Sequence, residues 1–123
     1  MANYQTITVK PLGERFGAEI GNVDLSKPVE DATFKEIEDA FVTWSVVVFR
    51  NQKMTPESHL AFAQRFGELE INAFTKFALD DHPGILKLSN VIEDGEPQGY
   101  ADAGSFWHTD MSYTKTPPRL TML

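Results

Sequence analysis

The chain has 123 residues, 41% of them hydrophobic and nine of them Phe, enough to build the core of one small domain. Eleven basic residues stand against eighteen acidic ones, a formal net charge of −7 with no basic cluster, so neither nucleic acid nor an anionic membrane surface is an expected partner. Cysteine is absent, which excludes disulfides and thiolate metal sites; residues 1–10 lack the plan of a signal peptide, the apolar run 46–49 is far too short to span a bilayer, and a cytoplasmic location follows as the expectation.

Residues 4–9 alternate Thr6 and Thr8 with Ile7 and Val9 before Pro11 and predict an edge strand over 4–9. Residues 18–20, set between Gly17 and Gly21, predict a second strand that pairs with the first as a hairpin. After Pro28, Phe34, Ile37, Phe41 and Trp44 recur at helical spacing. Thr33 with Glu36 has the form of a capping box, and Lys35, Glu36, Glu38 and Asp39 fall on the water-facing side. The run Val46, Val47, Val48 and Phe49 has the pattern of a strand buried on both faces, followed by a turn at Arg50-Asn51-Gln52. A second helix is predicted from Thr55 as N-cap and Pro56 as first helical residue, burying Leu60, Ala63 and Phe66 and stopping at Gly67.

Ile85, Leu86 and Leu88 mark a further strand leading to Ser89 and Asn90. Residues 93–105, with four glycines and prolines among them, predict a loop whose length and position suit a lid or rim as well as a solvated connector. His59, in the first turn of the second helix, and His82, in the turn Asp80-Asp81-His82-Pro83-Gly84, read as solvated structural residues. Residues 120–123 have the look of another strand, and with no turn or cap to close it the sequence reads as the front part of a longer protein.

The chemistry concentrates in His108-Thr109-Asp110. Phe106 and Trp107 precede it, Met111, Ser112 and Tyr113 follow, and the β-prone run 106–113 gives way to Pro117-Pro118, so a strand is predicted there. Side chains at i and i+2 leave one face of a strand, which would aim His108 and Asp110 at one metal ion. An imidazole and a carboxylate are two of the three ligands of a facial triad for non-heme Fe(II), and a histidine from elsewhere would complete it. On the same rule Phe106 shares the ligand face and would wall a pocket, while Trp107, Thr109 and Met111 would pack behind it. The ring nitrogen of His108 not on the metal needs an acceptor that the sequence does not identify.

Gly17-Ala18-Glu19-Ile20, Val23-Asp24-Leu25, residues 46–52, Arg65-Phe66-Gly67-Glu68-Leu69, Trp107-His108-Thr109-Asp110 and Thr116-Pro117-Pro118 together resemble, in order and spacing, one family. It is the taurine dioxygenase and dichlorophenoxyacetate dioxygenase family of Fe(II)/2-oxoglutarate-dependent oxygenases. The resemblance implies an α+β chain belonging to a double-stranded β-helix, or jelly roll, with flanking helices. Residues 1–123 would be the N-terminal part of that single domain. It further implies that His108 and Asp110 are the first two iron ligands, and that the second His and the Arg pairing with 2-oxoglutarate lie beyond Leu123. Where the taurine enzyme holds its substrate with a His and a Tyr, this chain has Asn72 and Thr75, and where that enzyme has an Asn before the motif it has Gly104. Ser89-Asn90-Val91 with Asp94-Gly95 is closer to the phenoxyacetate branch.

The expected activity is hydroxylation of a small organic acid, such as a sulfonate or aryloxyalkanoate, with 2-oxoglutarate and O2 consumed and succinate and CO2 released. The substrate-pocket candidates are Asn72, Ser89, Asn90 and Phe106. The 123-residue chain alone is expected to bind iron weakly and turn nothing over. Two other readings stand beside this one: a non-catalytic module with a degenerate metal site that binds a small acid or a partner, and a Zn2+-dependent hydrolase using the same two ligands. A homo-oligomer is compatible with a soluble enzyme, and no residue pattern specifies its symmetry.

Overall fold

A computed structural model describes residues 3–71 and 76–123, and its contacts divide the chain into two compact units, residues 1–62 and 63–123. In the first unit β1 (Thr8–Pro11) and β2 (Ala18–Gly21) pair antiparallel, with Val9 opposite Ile20. The predicted hairpin is present, although the first strand starts later than its alternation suggests. Gly17 takes a left-handed φ of +83°, and its N–H donates to the Trp44 carbonyl at 2.9 Å.

From β2 the chain runs through α1 (Asp31–Trp44) to β3 (Val47–Phe49), which lies parallel to β2 with Ala18 opposite Val47, giving a three-stranded sheet in the order β1-β2-β3. A parallel pair needs such a crossover, and α1 supplies it. Phe34, Ile37 and Ala40 form the buried stripe of the helix and meet Ile7, Ala18, Ile20 and Leu25 in the core. β3 is half-buried, and Val46 before it is exposed, so the strand is not covered on both faces as its composition predicts.

The capping box does not form. Glu30 occupies the N-cap of α1 without a side-chain hydrogen bond. Glu36 turns instead to the N-terminal segment, where its carboxylate accepts from the backbone N–H groups of Gln5, Thr6 and Ile7 and from the Thr6 hydroxyl at 2.7 to 3.2 Å. These bonds hold the carboxyl down to about 2 from its ordinary 4.5, the Gln5 N–H contributing most. The helix thereby pins the strand that follows residue 7.

Gln52 ties the turn after β3 to the turn after β2, accepting from Leu25 N–H at 2.7 Å and donating to the Val23 carbonyl at 3.2 Å. Helix α2 (Pro56–Gln64) begins as predicted: Thr55 Oγ1 accepts from Ser58 N–H at 3.3 Å and Ser58 Oγ accepts from Thr55 N–H at 2.9 Å. Its buried residue is Phe62, where the sequence reading puts Leu60, Ala63 and Phe66; those three are only half-buried. Phe62 prevails because it meets two aromatic edges at once, Phe34 at 6.1 Å and Phe49 at 5.9 Å between centroids, both nearly perpendicular. Gly67, at φ +147°, follows the helix, in agreement with its assignment as the stop.

The described residues of the second unit form two small antiparallel sheets, β4 (Ala78–Leu79) with β5 (His82–Leu86), and β6 (Ile92–Glu93) with β7 (Glu96–Pro97). His82 is thus the first residue of a strand and half-buried, not part of an exposed turn. Leu88 lies beyond β5 and is exposed. The expected loop 93–105 opens with a tight hairpin, Asp94 at φ 50° and Gly95 at φ 82° forming its two-residue connection. Residues 98–100 then return along 87–91: Tyr100 N–H donates to Lys87 O at 3.0 Å, Ser89 N–H to Tyr100 O at 3.2 Å and Gln98 N–H to Val91 O at 3.0 Å. Gly99 permits this approach, since a Cβ there would lie 2.7 Å from Ser89 N. Phe77 and Tyr100 stack edge-on at 4.8 Å beneath it.

Neither the strand predicted over 106–113 nor the one over 120–123 is present; the first stretch is bends and turns, with Met111 at φ 48°. High β-propensity alone does not make a strand: the backbone needs a ladder partner, and no strand among the described residues runs beside this one. Trp107, expected to pack behind the ligand face, is fully exposed. The described residues therefore show small sheets and two helices.

Candidate metal centre

Without a strand to align them, His108 and Asp110 still converge. Nε2 of His108 stands 3.0 Å from Oδ1 of Asp110, and the side chains are 38% and 43% exposed, open enough to admit a ligand. The juxtaposition comes from local bonds in place of a pleat. Nδ1 of His108 donates to the Phe106 carbonyl at 2.7 Å, which folds the ring back over its own backbone and presents Nε2 to the carboxylate. This carbonyl is the acceptor that the sequence leaves unidentified.

The other carboxylate oxygen, Oδ2, accepts from the Thr121 hydroxyl. Gly104, at φ +73°, sits against the far edge of the imidazole, where a Cβ would come within 3.2 Å of Cε1 and 3.9 Å of Nε2. The Phe106 ring lies 5.5 Å from the His108 ring, tilted by 59°, so Phe106 does border the pair, although the ring is 72% exposed.

The donor set can be tested for a metal on its chemistry. With Nδ1 carrying its proton toward Phe106, Nε2 and the carboxylate oxygen are two acceptors face to face, which is tolerable only with a proton or a cation between them. The Phe106 carbonyl, and after it the Asp110 carboxylate, accordingly raise His108 above its ordinary value. Two donors each about 2.1 Å from one ion and at right angles would be roughly 3.0 Å apart, so the pair has the spacing of adjacent ligands. Nitrogen and carboxylate donors suit Fe(II) and its neighbours in the first transition row. Among the described residues no third His, Cys, Asp or Glu joins them.

Ser89 Oγ accepts from Val91 N–H at 3.1 Å, a turn-capping role, and Asn90 is exposed beside it. Asn72 and Thr75 lie outside the described residues. His59 is half-buried on α2. Thr121 and Gly104 are the residues of the site that no motif flags for this role. For Thr121 no signal in the sequence exists, whereas the glycine four residues before His108 is at least a visible oddity.

Residues 8–123 match the family described as taurine catabolism dioxygenase TauD, TfdA family. The chain belongs to the TauD/TfdA family. Pentalenolactone F synthase of Streptomyces avermitilis is 34% identical over a stretch covering 100% of this TauD/TfdA chain and 41% of that protein. The alpha-ketoglutarate-dependent 2,4-dichlorophenoxyacetate dioxygenase of Cupriavidus pinatubonensis is 32% identical, over 96% of this chain and 45% of its own length. The TauD/TfdA chain thus spans less than half the length of these relatives. Among solved structures, a taurine dioxygenase from Burkholderia xenovorans superposes with a TM-score of 0.61 at 38% identity, covering 64% of this chain and 28% of that one. AAD-2, solved in complex with Mn(II) and N-oxalylglycine, superposes with a TM-score of 0.52 at 34% identity, covering 57% and 28%. No helix among the described residues is long and apolar enough to cross a membrane.

Proposed function

We propose that the chain is the N-terminal part of one TauD/TfdA dioxygenase domain, a double-stranded β-helix with flanking helices, in which His108 and Asp110 are two of the protein ligands to Fe(II). The observation that carries this reading is the 3.0 Å approach of His108 Nε2 to Asp110 Oδ1, with Nδ1 already engaged by the Phe106 carbonyl. Family membership and the alpha-ketoglutarate-dependent relatives support it. The second His and the Arg for 2-oxoglutarate are placed beyond Leu123.

The work of this chain's residues is positioning. The Phe106 carbonyl fixes the imidazole tautomer so that Nε2 is the donor atom. Asp110 adds a hard oxygen beside it, and the bare Cα of Gly104 leaves the ring edge unobstructed. Phe106 flanks the site and, with Ser89, Asn90 and Asn72, is assigned to the substrate pocket. Fe(II), with 2-oxoglutarate and O2 as cosubstrates, would supply the oxidising chemistry that hydroxylates a small organic acid and releases succinate and CO2. A cytoplasmic enzyme, with a small acid as its partner and neither nucleic acid nor membrane, completes the proposal.

The test is anaerobic addition of Fe(II) and 2-oxoglutarate to a polypeptide carrying this chain and the downstream ligands, followed by a succinate-release screen over sulfonates, aryloxy acids and sulfate esters. A visible charge-transfer band that His108→Ala and Asp110→Ala both abolish is the expected result. Zn2+-dependent turnover without such a band would transfer the assignment to a hydrolase.

A further inference from the structure

Thr121 lies on the surface, outside any helix or strand, yet its hydroxyl reaches back across the turns at 111–116 to donate to Asp110 Oδ2. The opposite oxygen of the same carboxylate faces His108 Nε2 at 3.0 Å. We infer that Thr121 is a positioning residue for the metal-binding carboxylate: by holding Oδ2, its hydroxyl fixes Oδ1 as the single oxygen turned toward the ion shared with His108. The inference rests on the metal reading above.

The terminal torsion of an aspartate is broad and two-fold, so nothing intrinsic to Asp110 selects one oxygen or fixes the plane of the group. A carboxylate with both oxygens free binds a hard cation through one or both of them, and a chelating carboxylate would occupy a position that cosubstrates need. A hydroxyl on Oδ2 removes both freedoms at once. The two ligands are then held symmetrically, each by a partner on its far side: His108 by the Phe106 carbonyl on Nδ1, and Asp110 by Thr121 on Oδ2.

The segment bearing Thr121 is itself anchored. Arg119 Nη1 donates to the Phe66 carbonyl at 3.4 Å, and the Thr114 hydroxyl and N–H both donate to Met111 O, at 2.8 and 3.0 Å, which tightens the turn between Asp110 and the proline pair. Thr121 is exposed, so replacing its hydroxyl by a methyl leaves the buried core untouched.

The experiment is a Mn(II) titration of a polypeptide carrying this chain and the downstream ligands, read by paramagnetic broadening of the imidazole ring-proton resonances, with His59 and His82 as internal references. In the wild type His108 broadens first. Thr121→Val, which keeps the shape without the hydroxyl, weakens that response by about tenfold, the usual size of losing a partner behind a metal ligand. Thr121→Ser, which keeps the hydroxyl, binds as the wild type does. Both variants are checked for an unchanged melting temperature, and should Thr121→Val unfold, the serine variant decides alone. A valine variant that binds Mn(II) as tightly as the wild type, or a serine variant that fails to bind as the wild type does, overturns the inference. Absence of any selective broadening at His108 in the wild type would instead bring down the metal reading, and with it the role of Thr121.

Discussion

Every buried hydrophobic side chain among the described residues, from Ile7 to Phe62, belongs to residues 3–62, whereas Gly99 is the one buried residue described from 63 to 123. The first region is shaped by burial: a sheet and a helix exclude water from Ile20, Phe34 and Ile37 around the Phe62 ring. The second, which carries the His108–Asp110 pair, is shaped by directed bonds, among them the Phe106 carbonyl on His108 and the Thr121 hydroxyl on Asp110. Apolar contacts tolerate repacking, while a ligand pair depends on the placement of single atoms. Substitutions in the two regions should therefore fail in different ways.

The largest effect is expected at the ligands. His108→Ala or Asp110→Ala should abolish the selective Mn(II) response while leaving the cooperative unfolding of the chain nearly unchanged, because both side chains are substantially exposed. Next comes Phe62→Ala, which removes the shared partner of Phe34 and Phe49 and should cost about 3–5 kcal/mol in denaturant titrations. Its signature is lost stability with no direct change to the bonds around His108. Equal effects of the two kinds of substitution on stability would break the contrast.

Gly104 and Gly95 sharpen it further. Both adopt a left-handed backbone, at φ +73° and +82°, but a Cβ at 104 meets the His108 ring whereas nothing lies within 4 Å of one at 95. Asn tolerates the left-handed region, so Gly104→Asn should weaken Mn(II) binding by about tenfold through the displaced imidazole, with Gly95→Asn close to wild type. Similar losses in both would trace the effect to the backbone.

The smallest predicted effect concerns pH. Glu36 titrates near 2 when folded and near 4.5 otherwise, so its stabilisation of the N-terminal segment is complete above 4.5 and is lost as pH falls from there toward about 2. Glu36→Gln should lower the melting temperature at neutral pH and flatten this acid-side decline. An unchanged slope between pH 5 and about 2.5 would show that the carboxylate is not the anchor.

What could be read from the residues alone follows the same division. Helix α1 is legible because Phe34 and Ile37 obey a local period, although Ala40 completes the buried stripe while the expected Phe41 and Trp44 are only half-buried, and α2 because Thr55 and Pro56 announce its start. Glu36 misleads: as a capping partner it would accept from the single backbone N–H of Thr33, whereas residues 5–7 offer three N–H donors. The hairpin at Asp94-Gly95 is legible in principle, since that dipeptide is a strong turn signal, but among Pro97, Gly99 and Gly104 it reads as part of one loop, a lid, rim or solvated connector. That His108 and Asp110 converge is anticipated in the sequence, but the way they do so is not. An i, i+2 rule presumes a strand, and the observed convergence depends on a carbonyl two residues before His108 and a hydroxyl eleven residues after Asp110.

The most direct test of the central claim is a crystal of the chain soaked in Mn(II), with the ion located by its anomalous scattering. The account predicts a peak bonded to both Nε2 of His108 and Oδ1 of Asp110, with Nδ1 still on the Phe106 carbonyl. A peak confined to other carboxylates, or a His108–Asp110 pair left without metal at saturating Mn(II), would contradict it.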